Sequence, residues 1–270
     1  MEKILILDFG SQTTALIGRR IREFGVYTEI IPGNTEFTDD ILDGTAGIIL
    51  GGSPEAVYGN GLVPDKRIYN GIPILGICYG LQRIMADLGG KVEALKEREY
   101  GGVEVYLNKA LKTSLSDRGK AFLDAVDDSL TAWMSHGDTV TKLAPDFIEC
   151  GTSKTGFPSV VIHKTKPFFG VQFHPEVSHT KGGEKFLKAF VFDVCGCKKS
   201  WSMEKYLQEI ETSLKSKVGS NHVLLLISGG VDSTVAGALL LKRWTQKKCT
   251  LCTSTQGLCA KTKQKLSAAI

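Results

Sequence analysis

No stretch of this 270-residue chain approaches the ~18 consecutive apolar residues of a membrane span, so a bilayer-crossing helix is not expected. A secretion signal is not expected either, because Met1-Glu2-Lys3 runs straight into an apolar strand. The seven cysteines are an odd set with no disulfide-framework spacing, which fits reduced thiols in the cytoplasm. Cys195-Gly196-Cys197 and Cys249-x-x-Cys252 each lack a second pair at zinc spacing, so no metal site is expected. Acidic residues are missing from 241–270, which hold Lys242, Arg243, Lys247, Lys248, Lys261, Lys263 and Lys265. Trp244 is the sole aromatic there, too little for a nucleic-acid-binding tail, and no nucleic-acid or membrane partner is expected. The overall charge of +4 therefore sits in that end. What remains is 42% apolar and 23% charged, the make-up of an ordinary globular chain with one or two domains.

The chemistry concentrates at Ile74-Leu75-Gly76-Ile77-Cys78-Tyr79-Gly80-Leu81-Gln82. The apolar run to Ile77 reads as a buried parallel strand, and Leu81, Ile84, Met85 and Leu88 recur at helical spacing. Cys78 falls on the turn between them, bracketed by Gly76 and Gly80. Gly-x-Cys-x-Gly is the cysteine form of the nucleophile elbow, in which glycines admit a strained turn and close packing. The helix N-terminus favours thiolate, and the Tyr79 N–H is free to face an oxyanion. A lone cysteine after a strand is otherwise a small buried hydrophobe, so a base has to be found. Phe168 to Phe173 reads as a second strand, ending in His174-Pro175-Glu176. His174 supplies the base, and Glu176 lies within reach to orient its imidazole.

These two stretches together resemble the class I, or triad, glutamine amidotransferases. Leu5-Ile6-Leu7-Asp8-Phe9-Gly10-Ser11-Gln12, Arg98-Glu99-Tyr100-Gly101, Trp133-Met134-Ser135-His136-Gly137-Asp138 and Ser228-Gly229-Gly230-Val231-Asp232-Ser233 narrow the resemblance to the glutamine-hydrolysing GMP synthases. It runs over roughly residues 3 to 241. It implies that Cys78 attacks glutamine, that His174 and Glu176 complete the triad, and that Tyr79, Gly52, Ser53 and Gln82 serve the oxyanion and glutamine. His136 is a rival base, which the resemblance places in a supporting role. His163 and His179 are expected to be structural or solvated.

Strands at Lys3–Asp8, Tyr27–Ile31, Gly47–Leu50 and Ile74–Ile77 alternate with helices at Thr13–Glu23 and Tyr79–Leu88. That order predicts an α/β fold, a parallel sheet with helices on both faces and the site at the strand C-termini. From Gly102 to Phe173 short strands recur (Gly102–Tyr106, Ala132–Met134, Phe147–Cys150, Ser159–His163, Phe168–Phe173), predicting an antiparallel part of a mixed sheet. Helices follow at Gly183–Val194 and Met203–Leu214. The resemblance makes this the open, flavodoxin-like sheet of class I glutamine amidotransferases. The expected division is an amidotransferase domain at 1–197, a linker helix at 198–220 and a partial ATP-pyrophosphatase domain at 221–270.

In that last part, strand Val223–Ile227 leads through Ser228-Gly229-Gly230-Val231-Asp232-Ser233 into a helix at Thr234–Leu241. A glycine-rich turn feeding a helix N-terminus binds phosphate. No Gly-Lys-Ser/Thr follows, which excludes a Walker A loop. The stretch resembles the pyrophosphate loop of ATP pyrophosphatases and is the start of a Rossmann-like domain. The resemblance implies ATP with Mg2+ and xanthosine monophosphate (XMP) in a complete enzyme, with none of these needed by the glutaminase half. A separate synthetase chain or a homodimer is a further implied partner.

Three departures stand out. Gly51-Gly52-Ser53-Pro54 replaces the family's Ser-Gly-Gly-Pro, so a Cβ on Ser53 is expected to distort the turn if φ is unusual, weakening glutamine hydrolysis. Thr13 stands where the family has an aromatic. Thr253-Ser254-Thr255-Gln256 precede Gly257-Leu258 where the family carries an acid. Only about 50 residues follow Asn221, below the usual scale of a nucleotide domain. The chain is therefore expected not to make GMP unaided. Two other readings stay open: a free-standing glutaminase feeding a separate synthetase, and an inactive remnant that binds a partner or nucleotide.

Overall fold

The computed structural model describes residues 2–243, 249–255 and 258–260. Lys247, Lys248, Lys261, Lys263 and Lys265, with Trp244, Gln256 and Gly257, lie outside them. Contacts divide the chain into two units, Met1–Ser202 and Met203–Ile270.

The first unit is built on a nine-stranded sheet. Its strands are β1 (Lys3–Asp8), β2 (Tyr27–Pro32), β3 (Thr45–Leu50), β4 (Ile74–Ile77), β5 (Lys91–Leu107), β6 (Ser129–Lys142), β7 (Phe147–Ser153), β8 (Pro158–His163) and β9 (Phe168–Val171). They lie in the order β2-β1-β3-β4-β9-β8-β7-β5-β6. The strands from β2 to β9 in that order pair in parallel, and those from β9 onward pair antiparallel. This is the mixed open sheet expected from the strand–helix alternation.

Helices α1 (Thr14–Glu23), α2 (Asp39–Leu42), α3 (Tyr79–Asp87), α4 (Asp117–Asp124) and α5 (Gly183–Lys188) cover the sheet, and α5 continues as a π-helical turn, Ala189–Val194. The pleat sends alternate side chains to opposite faces. Ile4, Ile6, Leu75 and Ile77 therefore join one buried layer with Ile17 and Ile21 of α1, Phe122 of α4 and Phe186 of α5. Leu5, Leu7, Ile74 and Phe168 join the other, with Leu81, Ile84 and Met85 of α3. Burial on both faces is why these strands read as continuous apolar runs.

Several features differ from the sequence reading, among them β6, which spans residues 129–142 where the expected strand is 132–134. β5 spans residues 91–107, well beyond the expected 102–106, and its pairing with β6 shifts register between Ala94 and Glu99. Alternation is broken there, which hides the strand from a period-two pattern. Helix α4 leaves little trace in the sequence because it offers only Phe122 and Leu123 as apolar anchors; its N-cap Ser116 accepts from the Gly119 N–H at 3.3 Å.

The second unit opens with α6 (Met203–Val218), followed by β10 (Val223–Ile227), α7 (Val231–Arg243), β11 (Cys249–Thr255) and β12 (Leu258–Ala260). β10 and β11 pair in parallel, and β12 returns antiparallel to β11. Leu224 and Leu226 remain 64% and 68% exposed, so one face of β10 is uncovered. Cys252 is disulfide-bonded, which corrects the expectation of seven reduced thiols; Cys78, Cys150, Cys195 and Cys197 are free. No helix among the described residues is long and apolar enough to cross a membrane.

Candidate active site

Strand β4 is fully buried and delivers Cys78 to the C-terminal edge of the parallel sheet, where α3 begins. The Cys78 backbone has φ 54° and ψ −108°, one of two non-glycine residues with positive φ among the described residues. Such a conformation costs on the order of 1–3 kcal/mol and has to be imposed by its surroundings. The flanking glycines show how. A Cβ on Gly76 would lie 2.5 Å from the Gly80 carbonyl carbon, and one on Gly80 would lie 2.1 Å from the Leu50 carbonyl oxygen. Only glycine lets strand and helix close this tightly. The turn is tied by the Cys78 N–H donating to the Val171 carbonyl at 2.8 Å and by Gln82 N–H donating to the Cys78 carbonyl at 3.2 Å.

β9 lies directly beside β4, and the chain leaving it carries His174 and Glu176 to the same edge. The His174 N–H donates to the Trp133 carbonyl at 3.1 Å, and Thr180 Oγ1 donates to the His174 carbonyl at 2.6 Å. Its Nδ1 lies 2.8 Å from Glu176 Oε1. A carboxylate only accepts, so Nδ1 carries the proton and Nε2 is left for Cys78. Burial opposes the charged imidazolium, but hydrogen bonds to Cys78 and Glu176, with their charges, outweigh it and raise the His174 pKa to about 10. Glu176 is 1% exposed, and its Oε2 has no hydrogen-bond partner. Its charge therefore leans on His174. Arg20 Nε donates to the Glu176 carbonyl oxygen at 3.1 Å, holding the segment to α1.

The loop after β3 faces the sulfur from the other side. The N–H groups of Gly52, Ser53 and Tyr79 donate no hydrogen bond among the described residues. A Cβ on Gly52 would sit 3.2 Å from Ser11 Oγ and 3.5 Å from the His174 ring. Ser53 is not among the residues with positive φ, and its Oγ accepts from the Glu55 N–H at 3.1 Å. The distortion expected at this position is absent, so Ser53→Gly is expected to leave the rate of glutamine hydrolysis within about two-fold, inside the ordinary range of a neutral substitution. A gain of ten-fold or more in steady-state kinetics would show that the Cβ does matter.

Cys78 and His174 open into a cavity of about 750 Å³, also lined by Gly10, Arg98, Trp133 and Asp138. Tyr58 Oη donates to Asp138 Oδ1 at 2.8 Å across its mouth. A family model described as glutamine amidotransferase class-I matches residues 5–194. The chain belongs to the class-I glutamine amidotransferases. A second model, thiamine biosynthesis protein (ThiI), matches residues 218–270. The GMP synthase [glutamine-hydrolyzing] of Enterococcus faecalis is 45% identical over 245 residues, 90% of this chain and 45% of that protein. That of Neisseria meningitidis is 43% identical over 240 residues, 88% of this chain and 45% of that one. The chain thus spans about half the length of the curated relatives it matches. Among solved structures, a Thermoplasma acidophilum protein provisionally assigned as one component of a GMP synthase has TM-score 0.60 and 28% identity, covering 77% of this chain and 98% of its own.

In this amidotransferase the remaining expected residues separate cleanly. Gln82 is buried, and its Nε2 donates to the Asp138 carbonyl at 2.8 Å. Both ring nitrogens of His136 are taken by other groups: Nδ1 is 2.9 Å from the Asp138 carbonyl and Nε2 is 2.9 Å from Glu99 Oε2. Burial pushes the Glu99 carboxyl up, yet His136, Thr155 and Ser153 outweigh it and hold it below the usual carboxylate range. His163 Nδ1 accepts from the Thr165 and Lys166 N–H groups, and His179 stacks on Trp133 at 4.6 Å. Gln172, within the expected strand Phe168–Phe173 just before His174, is the site residue sequence reasoning missed. It is fully buried with its Nε2 3.8 Å from Cys78 Sγ.

In the second unit, Ser228, Gly229 and Gly230 form the turn after β10, with Gly229 at φ +86°. α7 starts at Val231, earlier than the expected Thr234, so Val231, Asp232 and Ser233 are its first turn. Ser228 Oγ and Ser233 Oγ lie 3.2 Å apart, and Ser233 Oγ donates to the Gly230 carbonyl at 3.0 Å. Ser228 and the first residues of α7, Val231 and Asp232, are exposed, and Ser233 is half-buried.

Proposed function

We propose that the first unit hydrolyses glutamine to glutamate and ammonia, and that Cys78, His174 and Glu176 carry the reaction. The observation that supports this most is the strained Cys78 turn facing an imidazole whose far nitrogen is held by a buried carboxylate. The pocket offers Arg98 as a cation and Asp138 as a carboxylate, the complement of a zwitterionic amino-acid head. The Cys78 thiolate attacks the side-chain amide carbon. The oxyanion takes N–H bonds from Tyr79 and from Gly52 or Ser53, and Gln82 orders the glutamine side of the pocket. His174 donates its proton to the departing nitrogen, releasing ammonia and leaving a thioester on Cys78. His174 then takes a proton from water, whose oxygen attacks the thioester, and returns that proton to the sulfur or keeps it as imidazolium. Glu176 orients the ring throughout.

The wider reading is that of a GMP synthase, in which the ammonia aminates XMP at the expense of ATP. The Ser228-Gly229-Gly230 turn and the Val231-Asp232-Ser233 helix start fit the pyrophosphate of ATP, since Gly229 takes the positive φ of the turn and the Ser228 and Ser233 hydroxyls flank the helix start. ATP with Mg2+ would supply the energy for the amination. A domain division at 1–197, 198–220 and 221–270, and a cytoplasmic site of action, go with this reading. The experiment is release of glutamate and ammonia from glutamine by the purified chain, with asparagine as the competing amide. Equal turnover of both would defeat the glutamine assignment. Synthesis of GMP from XMP and ATP, with and without a synthetase domain added in trans, tests the wider reading.

The raised His174 pKa sets the alkaline limb of that activity. The imidazolium is the acid that releases ammonia, so activity is present below the folded pKa and is lost as pH rises through about 10. Glu176→Gln removes one of the groups that raise it. The limb is expected to move down by about one to two units, the range set by one nearby opposite charge. Profiles of kcat/KM across pH that superimpose for the two proteins would contradict the assigned role of Glu176.

A further inference from the structure

Four groups besides the elbow itself face Cys78 Sγ. His174 approaches from the chain after β9, and the N-terminus of α3 lies beneath. The Ser135 carbonyl of β6 is 3.9 Å away and, being an acceptor, favours the protonated thiol. The fourth is the Gln172 side chain, 3.8 Å away and buried beneath the pocket.

The orientation of the Gln172 amide is dictated by its neighbours. The Asp138 backbone carbonyl can only accept, so the Gln82 group facing it at 2.8 Å is the NH2. The same Gln82 NH2 lies 3.3 Å from the Gln172 side chain, which must therefore present its oxygen there. With the oxygen turned to Gln82, the Gln172 NH2 is left facing the sulfur. The donor directions, from the Gln82 NH2 to both the Asp138 carbonyl and the Gln172 oxygen and from the Gln172 NH2 to Cys78, follow from one backbone carbonyl. The Gln82 bond onto the Gln172 oxygen polarises the Gln172 amide, and a neutral N–H aimed at a thiolate stabilises it without competing for the proton that His174 must move.

We propose that Gln172 is a positioning residue for the nucleophile: oriented by Gln82, it donates a hydrogen bond to Cys78 that favours the thiolate over the thiol. This rests on the reading of Cys78 as the nucleophile, and it gives a reason for Gln82 besides contact with substrate. Gln82 keeps the Gln172 amide from flipping its oxygen onto the sulfur.

The test is the pH dependence of Cys78 alkylation by iodoacetamide in the full chain, resolved by mass spectrometry, with no glutamine present. Gln172→Leu is expected to move the midpoint up by roughly 0.5–1 pH unit, the scale of one hydrogen bond to the charged form. Gln172→Glu keeps the shape and sets an acceptor against the sulfur, so it is expected to move the midpoint further. Gln82→Leu leaves Gln172 in place but frees its orientation, and is expected to shift the midpoint in the same direction. For the Gln172 variants the kcat for glutamine should fall with KM little changed. Unchanged midpoints in folded Gln172 variants overturn the proposal, and Gln172→Glu carries the test if Gln172→Leu does not fold. A shifted midpoint in a chain that hydrolyses no glutamine supports the relay while defeating the glutaminase reading, so the two fail separately.

Discussion

Replacing Cys78 with alanine is expected to lower glutamine hydrolysis by on the order of 10⁴-fold or more, about 5.5 kcal/mol of barrier. The groups proposed to carry the chemistry act on or through the sulfur. His174 has no proton to exchange with it once it is gone, and the N–H groups of Tyr79, Gly52 and Ser53 have no tetrahedral oxyanion to hold. The loss should fall on kcat, because Arg98, Asp138 and the rest of the cavity wall are untouched. Thermal unfolding should change little, since alanine removes one small buried atom. Ammonia release measured with a coupled glutamate assay decides it. Residual turnover within ten-fold of the parent would assign the chemistry to another group, and His136 with Glu99 would then be the first place to look.

Gly80→Ala is the second large effect, and it acts on the fold. The new Cβ would lie 2.1 Å from the Leu50 carbonyl oxygen and 2.7 Å from its carbon, both backbone atoms of the adjacent strand β3. No rotamer relieves that contact, so α3 must back away from the sheet. Overpacking against backbone costs about 3 kcal/mol, which in a unit of this size lowers the unfolding midpoint by about 6–12 °C. The displaced helix also carries Tyr79 and the Cys78 turn with it, so activity should fall further than stability alone explains. Gly59→Ala is the control: it sits in an exposed loop with its nearest neighbour 3.3 Å away and should move the midpoint by no more than about 2 °C. Calorimetry that finds the two variants alike would mean that the Gly80 contact relaxes without penalty.

Much of this site is legible in the sequence because its parts are local. Gly76, Cys78 and Gly80 form one turn, His174 and Glu176 are two residues apart, and β1 and β4 have the bounds expected from the sequence. What cannot be read is what crosses the sheet. The Gln82 contact with Asp138 spans 56 residues and the Gln172 contact with Cys78 spans 94, so no periodicity marks either. β5 reads too short because its register shift breaks the alternation that would reveal it. The strain expected at Ser53 is absent because the site takes its positive φ elsewhere, at Cys78. The Gly-x-Cys-x-Gly spacing marks Cys78 as the strained turn residue; that Ser53 escapes strain is not visible in the sequence.

The Cys78 backbone has an implication for how such a chain can change over time. Glycine tolerates φ near 54° far better than cysteine does, so at this position the residue that suits the backbone is not the one that does chemistry. A lineage drifting without demand for ammonia would find relief there at once, and an engineering campaign that ranked variants by melting temperature would be drawn to the same substitution. On the proposed role of Cys78, cysteine at that dihedral marks a place where turnover and robustness pull in opposite directions.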